Sequence, residues 1–300
     1  MQALSIDAAL LRSSRDGRLR GFVHSVFERV INVEREDGEL FTIASRDLDN
    51  APATLIADAA GFATTGIARG DRVDAVQSGI AIAGRLDIRL DEASAWDARL
   101  PGYPADDSRL RENLRKVRAR IGPRAIGGGP PRGAAPSAIA RVMAATLERR
   151  ARMLRAALCA GDVAAAGLHG KAMMGLGPGL TPSGDDFLVG LLATLHVPQN
   201  PCRELAGVCD DILVDVARRT NAISAAALQA AARGRVREAI QVLMRELMHG
   251  TPNRLTAALS RVLAIGSTSG TDIVAGMLCG FEVAVGRRSG ARYPAGRDKS

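Results

Sequence analysis

Aromatic residues make up only 3% of the chain, with a single tryptophan. A core built almost without rings has to be aliphatic, and Ala, Leu and Val supply it; side chains that small favour close helix packing. Too few aromatics are interleaved with the basic residues for a nucleic-acid surface, and no recognition motif accompanies them, so nucleic acid is not an expected partner. Cysteine is also scarce: Cys159, Cys202, Cys209 and Cys279 form no Cys-x-x-Cys pair, and no secretory apolar segment opens the chain. Reduced thiols in the cytoplasm are the expectation. His24, His169, His196 and His249 stand alone, with no His-x-x-x-His spacing, so no metal site is expected on them. No apolar stretch reads as long and uninterrupted enough to span a bilayer, so no membrane is expected either. No Gly-x-Gly-x-x-Gly joins a strand to a helix, which argues against a dinucleotide fold; no cofactor is implied.

What is present is a chain of 300 residues, 47% hydrophobic, enough for two modest domains or one large one. The formal net charge of +8 permits an anionic partner. With the basic residues scattered and mostly Arg, a small anionic substrate is the favoured reading.

The stretch from Gly175 to Asp186, Gly-Leu-Gly-Pro-Gly-Leu-Thr-Pro-Ser-Gly-Asp-Asp, runs directly into the apolar Phe187-Leu188-Val189-Gly190-Leu191-Leu192. It reads as a glycine-rich loop feeding a buried helix. Glycine permits positive φ and close approach of a ligand to the backbone. A helix start adds unpaired N–H groups and the positive end of the dipole, so the combination suits a phosphate or carboxylate. A plainer reading is a cap, with Thr181 capping ahead of Pro182 or Ser183 paired with Asp186 in a capping-box variant. Capping accounts for one hydroxyl and one acid, not for the rest. The binding candidates are therefore Gly177, Gly179, Thr181, Ser183 and Gly184, and the candidates for proton transfer or for orienting an amino group are Asp185 and Asp186.

A second copy follows. Ser269-Gly270-Thr271-Asp272-Ile273-Val274-Ala275-Gly276-Met277-Leu278 aligns with Ser183 to Leu192. Two helix starts built alike suggest that they converge on one polar ligand or face each other across one cavity, which adds Ser269, Gly270 and Asp272 as binding candidates. The alternative is two caps on core helices, with Gly190 and Gly276 allowing close packing.

These two runs resemble the AllH-type subunit family of bacterial oxamate carbamoyltransferase, over about residues 20 to 285. The resemblance implies transfer of a carbamoyl group between carbamoyl phosphate and oxamate, in purine (allantoin) catabolism, by a complex that includes other subunits. It also draws in Thr220 and Ser224, because the family carries a similar Thr/Ser stretch. On the residues alone these two hydroxyls either bond their own helix or line a cavity. Arg219 is the nearest guanidinium able to grip a carboxylate or phosphate with two prongs. No Ser-Thr-Arg-Thr run of the aspartate and ornithine carbamoyltransferase kind is present, so any transfer uses another route. A phosphotransferase with a glycine-rich phosphate loop and a non-catalytic structural subunit are the competing readings.

Along the chain, a short helix is expected from Ile6 to Leu11. Strands are expected at Phe22–Phe27, Val30–Val33, Leu40–Ala44, Thr54–Ala57, Arg72–Val76, Gly79–Ala83 and Leu86–Leu90, a spacing that suggests a small sheet or barrel. Trp96 reads as a packing anchor. A basic helix over 105–121 and a Gly/Pro linker from Ile126 to Gly133 come next. Helices then run from Ala138 to Ala160, from Gly161 to Met174, from the first motif to the loop at Pro198, and in several pieces to Val285. The fold class is α+β: a β-rich part (1–104), a helix and linker (105–136), an Ala-rich helical domain holding both motifs (137–286) and a polar tail (287–300).

Overall fold

A computed structural model describes residues 1–17, 19–76, 78–122 and 137–289. The expected linker at Ile126–Gly133 and most of the polar tail lie outside the described residues. The chain divides into two compact units, Met1–Ala98 and Arg99–Ser300. The fold class is α+β, with the strands in the first unit and all but one of the described helices in the second.

The first unit is a curled sheet of nine strands: β1 (Ala3–Asp7), β2 (Gly21–Val26), β3 (Val30–Arg35), β4 (Leu40–Ala44), β5 (Thr54–Ala57), β6 (Arg72–Val76), β7 (Gly79–Ile82), β8 (Leu86–Arg89) and β9 (Ser94–Trp96). The spatial order is β8-β7-β6-β2-β3-β4-β5-β1-β9, antiparallel except for the β4–β5 and β1–β9 pairs. Gln2 forms a bridge to Arg89, so the sheet curls until the start of β1 meets β8. Alternation along the strands puts Ile31, Val33, Phe41, Ile43, Val73, and Ile80 into one apolar core. The turn Glu36-Asp37-Gly38 joins β3 to β4, with Gly38 at φ +81°.

The expected helix from Ile6 to Leu11 is corrected. β1 runs to Asp7, and helix α1 begins only at Ala8 and extends to Arg15. Asp7 decides the boundary: one carboxylate oxygen accepts the N–H of Ala9 (3.2 Å) as a cap and the other accepts that of Ala53 (2.7 Å). Trp96 lies half-buried in β9, a strand not anticipated.

The second unit is helical: α2 (Ser108–Ile121), α3 (Ala138–Ala160), α4 (Val163–Lys171), α5 (Ser183–Leu195), α6 (Gly207–Leu213), α7 (Val216–Arg219), α8 (Ala222–Ala231), α9 (Glu238–His249), α10 (Pro252–Leu263) and α11 (Ser269–Arg288). α3 starts and stops where its sequence signals say. Ser137 caps it by accepting the N–H of Ala140 (3.1 Å), and Gly161 ends it in the left-handed conformation at φ +75°. Every residue of α5 is buried. Its most extensive partner is α11. By length and composition alone α11 would pass for a membrane span. Two-thirds of its apolar window (67%) is nevertheless buried inside the unit, as a core helix requires.

The α5–α11 contact rests on two glycines. A methyl group added at Gly190 would strike the carbonyl of Ile273, and one added at Gly276 would strike the carbonyl of Phe187. The relation is reciprocal. Gly190 also faces the N–H of Met277, and Gly276 that of Leu191, each at 2.9 Å from the added carbon. Equivalent residues of the two copies thus exchange places across the crossing, giving the helix pair a local pseudo-twofold relation.

Candidate active site at the paired helix starts

Both copies are built on the same frame. In the first, the N–H of Leu176 bonds to the carbonyl of Met173 (3.1 Å) and the N–H of Gly184 to the carbonyl of Leu176 (2.9 Å). In the second, Ile265 bonds to Val262 (3.0 Å) and Gly270 to Ile265 (3.0 Å). Gly184 and Gly270 are glycines because a side chain there would run into the backbone of that preceding turn, at Met173 and Val262. The frames differ in what they enclose: a longer loop, Gly177 to Ser183, in the first copy and the shorter Gly266 to Ser269 in the second.

The long loop needs glycine where it has glycine. Gly177 sits at φ +130° and Gly179 at φ +96°, conformations that side-chain-bearing residues avoid. Gly177 lies against the N–H of Ser183, so the loop folds back over the start of α5. Residues 178–180 are exposed, whereas Pro182 to Asp186 are buried. The N–H groups of Gly179, Leu180 and Thr181 find no acceptor among the described residues. An exposed run of free donors therefore sits at the positive end of a buried helix.

Neither capping arrangement forms. Ser183 lies inside the first turn, Pro182 precedes the helix, and no side chain accepts a bond from the helix start; α11, preceded by Thr268, is the same. The hydroxyls are engaged elsewhere: Thr181 Oγ1 and Ser269 Oγ lie 3.0 Å apart, joining the two copies. The two helix starts therefore lie side by side.

Beneath the loop lie the carboxyls. Asp185 Oδ1 accepts the N–H of Gly175 (2.8 Å), and Oδ2 accepts the hydroxyl of Thr220. Burial pushes the Asp185 pKa up, and the Thr220 hydroxyl, the Gly175 N–H and the Ser224 hydroxyl pull it back. Asp186 is 6% exposed, and its Oδ2 has no hydrogen-bond partner. Burial raises its pKa to about 7; the hydroxyls of Ser269 and Thr181 oppose the rise, while the charges of Asp272 and Asp185 add to it. Asp272, fully buried, occupies in α11 the place that Asp186 has in α5.

Thr220 and Ser224 reach this site from different backbone states. Thr220 is not helical; it is extended at the end of α7, while Ser224 lies in the first turn of α8. Arg219 presents its carbonyl to Gly175, and its side chain is exposed. One contributor was not anticipated. Asn221 caps α8 by accepting the N–H of Ser224 (3.0 Å) and donates to the carbonyl of Leu180 (2.8 Å), tying the loop tip to α8. An Asn directly before an Ala-rich helix is a cap signal in the sequence; its second bond, to the loop, is not. Among the described residues, no group of three or more His, Cys, Asp or Glu side chains is placed to hold a metal ion.

The family model described as oxamate carbamoyltransferase subunit AllH matches residues 173–281, and the model of the AllH family N-terminal domain matches residues 2–95. The chain belongs to the AllH family. The first of these matches opens at the turn before Gly175 and closes within α11, so it encloses both helix starts. The second covers the curled sheet. No solved structure matches the chain. In this AllH-family chain the family assignment carries with it a role as one subunit of a carbamoyltransferase, and hence other subunits.

Proposed function

We infer that the paired helix starts bind the small anionic substrates of carbamoyl transfer, carbamoyl phosphate and oxamate, within a complex completed by other subunits. One observation carries this reading: the segment matched by the oxamate carbamoyltransferase subunit family is the segment that folds into the paired loops. The free N–H groups of Gly179, Leu180 and Thr181 receive a phosphate or carboxylate, helped by the positive end of α5. The same donors suit the charge that develops on the carbamoyl carbonyl oxygen as the oxamate nitrogen attacks. In that step a C–N bond forms, the C–O bond to phosphate breaks, and the nitrogen gives up a proton. Asp186 lies within the site and, with a pKa raised to about 7, takes that proton in the fraction of molecules where it is ionised. Asp185, with both oxygens engaged by Gly175 and Thr220, positions the loop. Arg219, Ser183, Ser224, Ser269, Gly270 and Asp272 complete the proposed binding surface. Degradation of allantoin in the cytoplasm is the setting that this chemistry fits.

The test is carbamoyl transfer from carbamoyl phosphate to oxamate, by the chain alone and mixed with its partner subunits. Wild type is run beside Asp186→Asn, which removes the charge and keeps the shape. Activity of the mixture, reduced at least ~100-fold in a variant that still assembles, is expected if Asp186 handles the proton. Activity indifferent to the substitution makes this chain a structural subunit. A requirement for ATP and magnesium redirects the reading to phosphoryl transfer.

A further inference from the structure

Asp272 has a place in this site but no chemistry so far. It follows Ser269 in α11 as Asp186 follows Ser183 in α5. The pseudo-twofold contact of the two helices sets the acids at equivalent positions, one turn from the Gly190–Gly276 crossing. The helix starts are joined through Thr181 and Ser269 at 3.0 Å. Both acids are buried, the charge of Asp272 acts on Asp186, and Asp186 Oδ2 has no partner.

We propose that Asp186 and Asp272 form a coupled acid pair holding one proton between them, with Asp272 the positioning residue that keeps Asp186 in its acid form. Two carboxylates brought together in a water-poor site do not both ionise readily, and their protons leave in two separated steps that belong to the pair. The charged groups acting on Asp186 are Asp272 from α11 and Asp185 from its own helix. The α8 side contributes the Thr220 and Ser224 hydroxyls to Asp185, and the turn before α5 contributes a backbone N–H. Burial outweighs the hydroxyls that favour the charged form of Asp186, so Asp186 keeps a proton toward neutral pH.

The consequence concerns the ligand. A doubly charged pair beneath the loop would repel an anion held by the N–H groups of Gly179, Leu180 and Thr181. With one proton retained the repulsion is halved, and a neutral carboxyl gains an O–H to donate. The site then suits a small anion that also carries a carbonyl oxygen. That use rests on the function proposed above; the existence of the pair does not.

Difference infrared spectroscopy of the full chain, without substrate, tests the pair. The expected result is a protonated-carboxyl band that disappears with a midpoint near the value of about 7 given by the surroundings of Asp186. The band is absent in Asp186→Asn. In Asp272→Asn its midpoint moves down by about one unit or more, because the neighbouring charge is gone. Asp272→Ser, which leaves room and a hydroxyl, is the second variant if the first fails to fold, and is read the same way. No such band in wild type, or a midpoint unmoved in the folded Asp272 variant, overturns the pair. A normal band and shift in a chain that transfers no carbamoyl group to oxamate leaves the pair standing and removes the substrate; transfer without the band does the reverse.

Discussion

The two motif copies share their packing and differ in their chemistry. Gly184 and Gly270 meet the preceding turn in the same way, and Gly190 and Gly276 meet each other's helix in the same way. These shared features make the helix pair and would serve equally in a protein with no ligand at all. The differences lie in the loop and the acids: the first loop is longer, carries Gly179 at φ +96°, and precedes two acids where the second has Thr271-Asp272. What the copies have in common is therefore a frame and the acid at Asp186 or Asp272, and what the first copy adds is a donor-lined loop and a second acid, Asp185, bonded to Gly175 and Thr220. Substitutions that strike the frame should act on both copies alike, and those that strike the additions should act on one.

The largest effect separates Asp186 from its surroundings by pH. Its folded pKa, about 7, lies above the ordinary 3.8, so the folded chain holds a proton that the unfolded chain releases first. The stability linked to that proton is complete below the ordinary carboxylate range and is lost as pH rises through about 7. Wild type should lose on the order of 4 kcal/mol from this group between those limits, at ~1.4 kcal/mol per unit. Asp186→Asn should lose none of it. Urea unfolding at about pH 5 and about pH 8 gives the comparison, and a variant whose advantage does not grow with pH would remove the buried acid from the account.

Next come the crossing glycines. Gly190→Ala and Gly276→Ala should each cost about 3 kcal/mol, since the added methyl meets backbone that cannot yield without moving a helix. The costs should match to within about 1 kcal/mol if the contact is reciprocal. Denaturant midpoints measure both, and tolerance at one position alone would break the pseudo-twofold relation. Gly179→Ala is smaller and one-sided. Nothing lies within 4 Å of the added carbon, so only the positive φ is strained, at about 1–2 kcal/mol. Gly266→Ala, at φ +58°, is strained less by its backbone but brings the added carbon to 3.1 Å from Ser269 Oγ. The Gly179 variant should weaken binding of inorganic phosphate or oxamate more than the Gly266 variant does, measured by calorimetry.

The legible and illegible parts of this molecule differ physically. Strands β3, β4, β6 and β7 announce themselves by alternation and a turn signal, and α3 by a Ser before it and a Gly after it. β1 was hidden because Asp7 is both the last strand residue and the cap of α1, so the apolar pattern crosses the boundary without a break. β9 has three residues, too few to show a period. The glycine-rich loop and the helix after it were readable because the glycines and the apolar run stand side by side in the sequence. The caps were misread for the same reason that caps are usually found: Thr181 and Ser183 are the right residue types, yet Thr181 is spent on Ser269 from a distant part of the chain. Asn221 escaped because its bond to Leu180 exists only once α8 and the loop are side by side.

The smallest effect bears on that same cross-copy bond. Thr181→Val removes the hydroxyl and nearly preserves the shape, and Ser269→Ala removes the other partner. Each should cost about 1 kcal/mol, the usual net worth of a neutral hydrogen bond. If the bond is what joins the helix starts, the double variant should cost less than the two singles together, with a coupling of about 0.5–1.5 kcal/mol in a double-mutant cycle. Both hydroxyls also face Asp186 and favour its charged form, so the same variants should move its midpoint upward. Additive costs with an unmoved midpoint would mean that the copies are neighbours in space without sharing a site. A coupling accompanied by an upward midpoint would tie the frame, the loop and the acid into one unit.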